Sequence, residues 1–143
     1  MVNNMKKIFL ILVILLITGC VNGNRDFETI CTKKEESSGF ILSKTNKIYF
    51  NSDNLITKII EIYNLTYSDD MGKQSFIASK KSLDSYSKSK NYSVKITKDL
   101  EREYEISLTL DINKTSEEDL NNYDIKKKYY DQIKTYKIDM KCE

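Results

Sequence analysis

Histidine is absent from the chain. Its absence removes the Ser-His-Asp and Cys-His nucleophile systems and imidazole metal sites in their usual forms, and with them most hydrolase chemistry. Glycine is scarce: Gly19, Gly23, Gly39 and Gly72 are each isolated, so no Gly-rich loop exists to cradle a phosphate. A basic excess is missing too. The 23 Lys and Arg outnumber the 21 Asp and Glu only through Lys6 and Lys7, and without that N-terminal pair the chain is neutral. Nucleic-acid binding draws its affinity from phosphate neutralisation, and this composition gives it no footing. No cofactor is expected.

What is present begins with a single apolar run. Ile8 to Ile17 reads IFLILVILLI, directly after Lys6 and Lys7. Ten helical residues span about 15 Å against a hydrocarbon core of about 30 Å, so the run is too short for a stable membrane span. A charged start followed by a short apolar stretch is the layout of an export signal. The next residues, Ile17-Thr18-Gly19-Cys20, resemble the lipobox of bacterial lipoproteins, where an apolar residue, two small residues and a Cys direct lipid transfer and cleavage. Leu is commoner than Ile at the first position.

This order predicts a signal peptide over residues 1–19, a lipidated Cys20 opening a short polar tether over 20–26, and one domain over 27–143. The 124 residues left after cleavage suit a single domain. The protein is expected on the extracytoplasmic face of a cell membrane, held by membrane lipid through Cys20 rather than by a polybasic patch. Cys31 and Cys142 remain, near the two ends of the domain. An even count in an exported chain suggests one disulfide. Two thiols alone make an incomplete zinc site, and without His nothing completes it or activates a thiolate.

Periodicity supplies the elements. Phe27, Thr29 and Cys31 share one phase of a first strand, expected to stop in the charged run Lys33 to Glu36 before Ser37, Ser38 and Gly39 turn the chain. Residues 40–51 are β-rich. The stretch from Leu55 to Tyr67 also fits a helical spacing, but its Ile, Thr and Tyr and the preceding Asn51-Ser52-Asp53-Asn54 turn favour a strand. A helix is predicted over 70–90, capped by Ser68 or Asp69, with a narrow stripe including Phe76, Ile77, Leu83 and Tyr86.

Alternation then marks two strands, with Tyr92, Val94 and Ile96 on one and Tyr104, Ile106, Leu108, Leu110 and Ile112 on the other, joined through Asp99 to Arg102. Thr115 with Glu118 fits a capping box for a short helix. A second helical segment puts Ile125, Tyr129 and Ile133 on one face, and Tyr136, Ile138, Met140 and Cys142 fall in strand phase. If the terminal strands are neighbours, Cys31 and Cys142 can close within a Cα separation of about 4.4 to 6.8 Å. The order of elements predicts an α+β fold, an antiparallel β-sheet with two to three helices packed on one face.

Across essentially the whole chain this layout resembles the YehR-like lipoproteins, small bacterial lipoproteins of unknown function. The resemblance is carried by Cys20, Cys31-Thr32-Lys33, the Asp53-Asn54 turn into a long strand, the segment Thr115 to Leu120, and the Lys141-Cys142 ending. It implies the α+β domain and supports pairing of Cys31 with Cys142. It implies no activity.

Candidate chemistry is thin. Asp69-Asp70 and Glu117-Glu118-Asp119 could act as acids and bases or hold a cation, but helix-start acids explain both pairs more simply. Asp111-Ile112-Asn113 begins like a calcium loop yet lacks its Gly and later Glu. The ten tyrosines, Tyr129-Tyr130 among them, could line a glycan or peptide surface or simply serve the sheet. Two functions follow as expectations. One is a non-enzymatic surface or envelope binding module, its protein or small-molecule ligand unknown. The other is a lipid-anchored enzyme or accessory factor acting on cell-wall glycan through Asp69, Asp70, Glu117 and Glu118, which requires two carboxyl groups in one cleft, roughly 5 to 9.5 Å apart.

Overall fold

The first hairpin sets the sheet. Strands β1 (Phe27–Ser37) and β2 (Phe40–Phe50) pair in unbroken antiparallel register from Phe27 opposite Phe50 to Ser37 opposite Phe40. Ser38 and Gly39 join them with φ of 45° and 73°, the positive-φ pair of a type I′ turn, whose twist matches that of the strands. In this computed structural model, which describes residues 27–86, 88 and 91–143, the charged run Lys33 to Glu36 therefore continues β1 instead of ending it. A full-length partner strand supplies backbone hydrogen bonds that local composition does not reveal. The charges have a use there, because among the described residues β1 is covered on its other side by a two-residue strand alone, and charged side chains discourage foreign strands from pairing with a bare edge. The expected signal peptide, Cys20 and the 20–26 tether lie outside the described residues.

Strand β3 (Ile56–Tyr67) follows the Asn51–Asn54 turn, in which Asn51 Oδ1 accepts from the amides of Asp53 and Leu55 at 3.0 Å each. Helix α1 (Asp70–Tyr86) is capped by Asp69, whose Oδ1 accepts from Gly72 N at 2.8 Å. Strands β4 (Tyr92–Asp99) and β5 (Glu103–Asp111) form the next hairpin. A 3-10 turn (Ile112–Lys114), α2 (Glu117–Asn122), α3 (Tyr129–Tyr136) and β6 (Lys141–Cys142) complete the chain. The six strands run β4-β5-β3-β2-β1-β6, each antiparallel to its neighbours. With the three helices among the described residues, this is the expected α+β fold.

Differences from the expectation gather in the last quarter. The helix cap is Ser116 with Asp119, one residue beyond Thr115 and Glu118: Ser116 Oγ accepts from Asp119 N at 3.1 Å and donates to Asp119 Oδ2 at 2.6 Å. Thr115 instead donates to the Asp111 carbonyl at 2.8 Å and closes the 3-10 turn. Ile125 belongs to the α2–α3 loop, not to a helix. Residues 136–140 are not strand: Tyr136 ends α3 and residues 137–140 turn, because the amides of Lys137 and Met140 bond back to the carbonyls of Ile133 and Tyr136. Ile138 consequently lies 84% exposed, while Met140 is buried.

The chain ends are nonetheless neighbours. Cys31 sits directly opposite Cys142, with sulfurs 1.99 Å apart. Their Cα atoms are 3.9 Å apart, closer than the anticipated separation. Ile30 and Glu143 exchange both backbone hydrogen bonds, which leaves the cysteines at the non-hydrogen-bonded position where antiparallel strands approach most closely.

Register fixes the core. Ile48, Ile59 and Leu110 face the same way as Leu65, Tyr104, Ile106 and Leu108. The first three are buried with Leu120, Ile125, Ile133 and Met140 from the C-terminal part. The others, with Tyr67, are buried with Phe76 and Leu83 of α1. All three helices thus cover one face, in two separate groups.

Candidate functional site

The two helical groups part over the middle of the covered face, where three side chains break the apolar pattern. Along β2 the inward positions read Leu42, Lys44, Asn46 and Ile48; along β3 they read Leu65, Tyr63, Glu61 and Ile59. Each set is apolar at its ends and polar in its centre. Lys44 lies opposite Tyr63, and Asn46 opposite Glu61. Lys44 Nζ meets Glu61 Oε1 at 3.1 Å and stands 5.0 Å from the centre of the Tyr63 ring. The Tyr63 hydroxyl donates to Glu61 Oε2 at 3.1 Å, so both oxygens of the carboxylate are engaged.

Two cavities of about 320 and 370 Å³ adjoin here, sharing Lys44, Tyr63, Thr135 and Tyr136 as lining. Tyr86, Tyr92 and Tyr123 extend the wall of the larger one, and Asp124 and Gln132 lie on the same lining. Burial, then the nearby Glu61 charge, raises the Tyr63, Tyr92 and Tyr136 hydroxyls above the ordinary phenol range. These phenols are held neutral, able both to donate and to accept.

Two polar atoms beneath the cleft are unusual. Among the described residues, the Tyr136 hydroxyl and Asn46 Oδ1 are enclosed without a well-aligned hydrogen bond, although the Tyr136 hydroxyl lies beside the Gln132 and Asn46 side chains. The Asn46 amide nitrogen donates instead to Met140 Sδ at 3.6 Å, while Gln132 Oε1 is taken by the Lys126 amide at 2.6 Å. Asn46, Gln132 and Tyr136 thus form one polar cluster beneath the cleft.

The acids singled out from sequence lie elsewhere. Asp69 caps α1 beside Gly39 at the β1–β2 turn, and Asp70 follows it. Glu117 and Glu118 open α2, beyond the far end of β5. The length of that strand, about 27 Å at 3.4 Å per step, separates the two groups. They cannot act as a pair. Glu117 bonds to Lys127 at 2.7 Å, which pulls its carboxyl below the usual range. Asp111 bonds to the Asn113 amide at 3.1 Å and pairs with Lys114 at 2.9 Å. Tyr129 stacks on Phe50 with ring centres 3.9 Å apart, away from the cleft.

Reading one strand at a time therefore missed Lys44, Asn46 and Glu61. The signal was available, since all three fall in the inward phase of strands whose other inward residues are apolar. No family model matches the chain, and no curated protein or solved structure does either.

Proposed function

We propose that the chain is a bacterial lipoprotein, anchored through acylated Cys20 on the extracytoplasmic face of a membrane, whose 27–143 domain is a non-enzymatic binding module of the cell envelope. The Lys6-Lys7 start, the apolar run and the Ile17-to-Cys20 box support the anchor, as does the resemblance to YehR-like lipoproteins. No helix among the described residues is long and apolar enough to cross a membrane.

One observation carries the binding reading: neutral tyrosine hydroxyls gather around the Lys44–Glu61 pair in a cleft between the helical groups. A cleft with a few convergent polar groups among aromatic side chains is where a small ligand is held. Tyrosine offers flat apolar area and a polar tip, which suits the faces and hydroxyls of a sugar ring in a cell-wall glycan.

The anchor is tested by growing cells with labelled palmitate, which should label the native chain and leave a Cys20→Ser variant unlabelled. The cleft is tested with soluble peptidoglycan fragments, following tyrosine emission, since the chain has no Trp. A saturable change is expected, weakened about two- to tenfold in Tyr92→Phe, a half-buried residue of the cleft wall, through loss of one hydrogen bond. Equal titrations for the two proteins, or none, would count against the cleft.

A further inference from the structure

Three exposed apolar side chains gather where the chain enters the domain. Phe27 (49% exposed), Leu55 (43%) and Tyr130 (63%) belong to β1, the β2–β3 turn and α3 respectively. Contacts beneath them make one surface. Phe27 stacks on Phe50 with centres 5.4 Å apart, Phe50 on Tyr129 at 3.9 Å, and Tyr129 meets Tyr130 edge-on at 5.2 Å. Leu55 bridges to Lys128, and the Tyr129 amide donates to the Asn54 carbonyl at 2.9 Å. The Tyr129 hydroxyl and Thr29 Oγ1 lie 2.6 Å apart, fixing α3 to β1. The patch is a built surface, not three unrelated side chains.

Its place in the sequence says what it meets. Phe27 is seven residues after Cys20, and seven residues reach at most about 25 Å even when fully extended. An acylated Cys20 therefore keeps this end of the domain at the bilayer surface. We propose that Phe27, Leu55 and Tyr130 rest in the headgroup layer of that bilayer and form a second, weak lipid contact that orients the domain. The inference rests on the anchoring reading above. Aromatic side chains favour this layer because a ring body can enter the acyl boundary while a polar tip stays wet. Lys126 and Lys127 beside the patch are paired with Asp124 and Glu117, so the contact depends on apolar area more than on lipid charge. One acyl chain binds only marginally and stable attachment needs a second signal; the patch adds to whatever chains Cys20 carries.

The test uses a chain without lipid, residues 20–143 with Cys20→Ser. It keeps the whole sheet, both buried clusters and the Cys31–Cys142 bond, so it folds. Phosphatidylcholine bicelles carrying a paramagnetic headgroup lipid are added and amide signals followed by NMR. Signal loss at Phe27, Leu55 and Tyr130, exceeding that at the exposed Tyr86 and Ile138 and reduced in Tyr130→Ser, is expected. Uniform loss, no loss, or strongest loss elsewhere would overturn the proposal. So would concentration-dependent broadening of the patch without bicelles, which would make it a contact between copies. Because this chain is never acylated, the outcome is independent of palmitate labelling, and failure of the patch is distinguishable from failure of the anchor.

Discussion

Lys44 and Glu61 meet at 3.1 Å on the covered face of the sheet, their side chains only 26% and 15% exposed. They are diagonal neighbours, each directly opposite a different residue, Tyr63 and Asn46. Pairs of this kind stabilise little, because desolvating two charges offsets most of their attraction. The pair is better understood through what surrounds it, a ring of neutral phenols and the buried side chains of Asn46 and Gln132.

Replacing both members, Lys44→Met with Glu61→Leu, is therefore expected to leave stability unchanged or raise it by about 1–4 kcal/mol. Lys44→Met alone strands the carboxylate and should cost about 1–2 kcal/mol, reduced from the fully buried case by partial exposure. Urea unfolding of the three proteins measures both. A double variant less stable than the single one would show the pair to be a structural necessity.

Tyr136→Phe removes an enclosed hydroxyl that lies beside the Gln132 and Asn46 side chains without a well-aligned bond to either. Stability should change by no more than about 1 kcal/mol in the upward direction and little in the downward one, since a poorly aligned hydrogen bond offsets little of the cost of enclosing the group. A marked drop in the urea midpoint at unchanged slope would contradict this.

The Cys31–Cys142 bond closes the chain over 111 residues. Reduction, or paired Cys→Ala replacement, should lower stability by up to about 4–5 kcal/mol in the chain-entropy account, less if the unfolded chain retains structure. Equal thiol counts before and after reduction, in denatured protein, would show that the bond does not form.

Gly72 lies so close to the β1–β2 turn that a Cβ would fall 2.5 Å from the carbonyl carbon and oxygen of Gly39. Gly72→Ala gains up to about 1 kcal/mol in helix propensity, but overpacking backbone against backbone costs about 1–3 kcal/mol. Net destabilisation is expected in thermal unfolding, because the Asp69 cap must move with the helix.

Burial raises Tyr63, Tyr92 and Tyr136 above the ordinary phenol range. Unfolded tyrosine ionises near pH 10, so above that pH the unfolded chain releases protons that the folded chain keeps. Stability is then full below about pH 10 and falls as pH rises beyond it. Phenolate absorbance should show these tyrosines ionising only as the domain unfolds. Simultaneous ionisation of all ten would contradict the buried cluster.

Strands with clean alternation were legible from sequence. Tyr104, Ile106, Leu108 and Leu110 alternate with polar residues and are buried as that pattern demands. Where partners decide, sequence said less. The Lys33–Glu36 run is strand because β2 pairs with it along its whole length, and residues 136–140 look like a strand yet end α3 and turn, because the amides of Lys137 and Met140 find helical carbonyls. The cleft was hidden for the same reason. Lys44 and Glu61 each look like ordinary surface charges until the register sets them side by side on the covered face.

The most direct test of the cleft as a ligand site is NMR mapping of the native domain with soluble peptidoglycan fragments. The account predicts saturable shifts at Lys44, Glu61, Tyr63 and Tyr136, with the outward positions of β2 and β3 unmoved. Shifts confined to the outer face, or none at all, would contradict it.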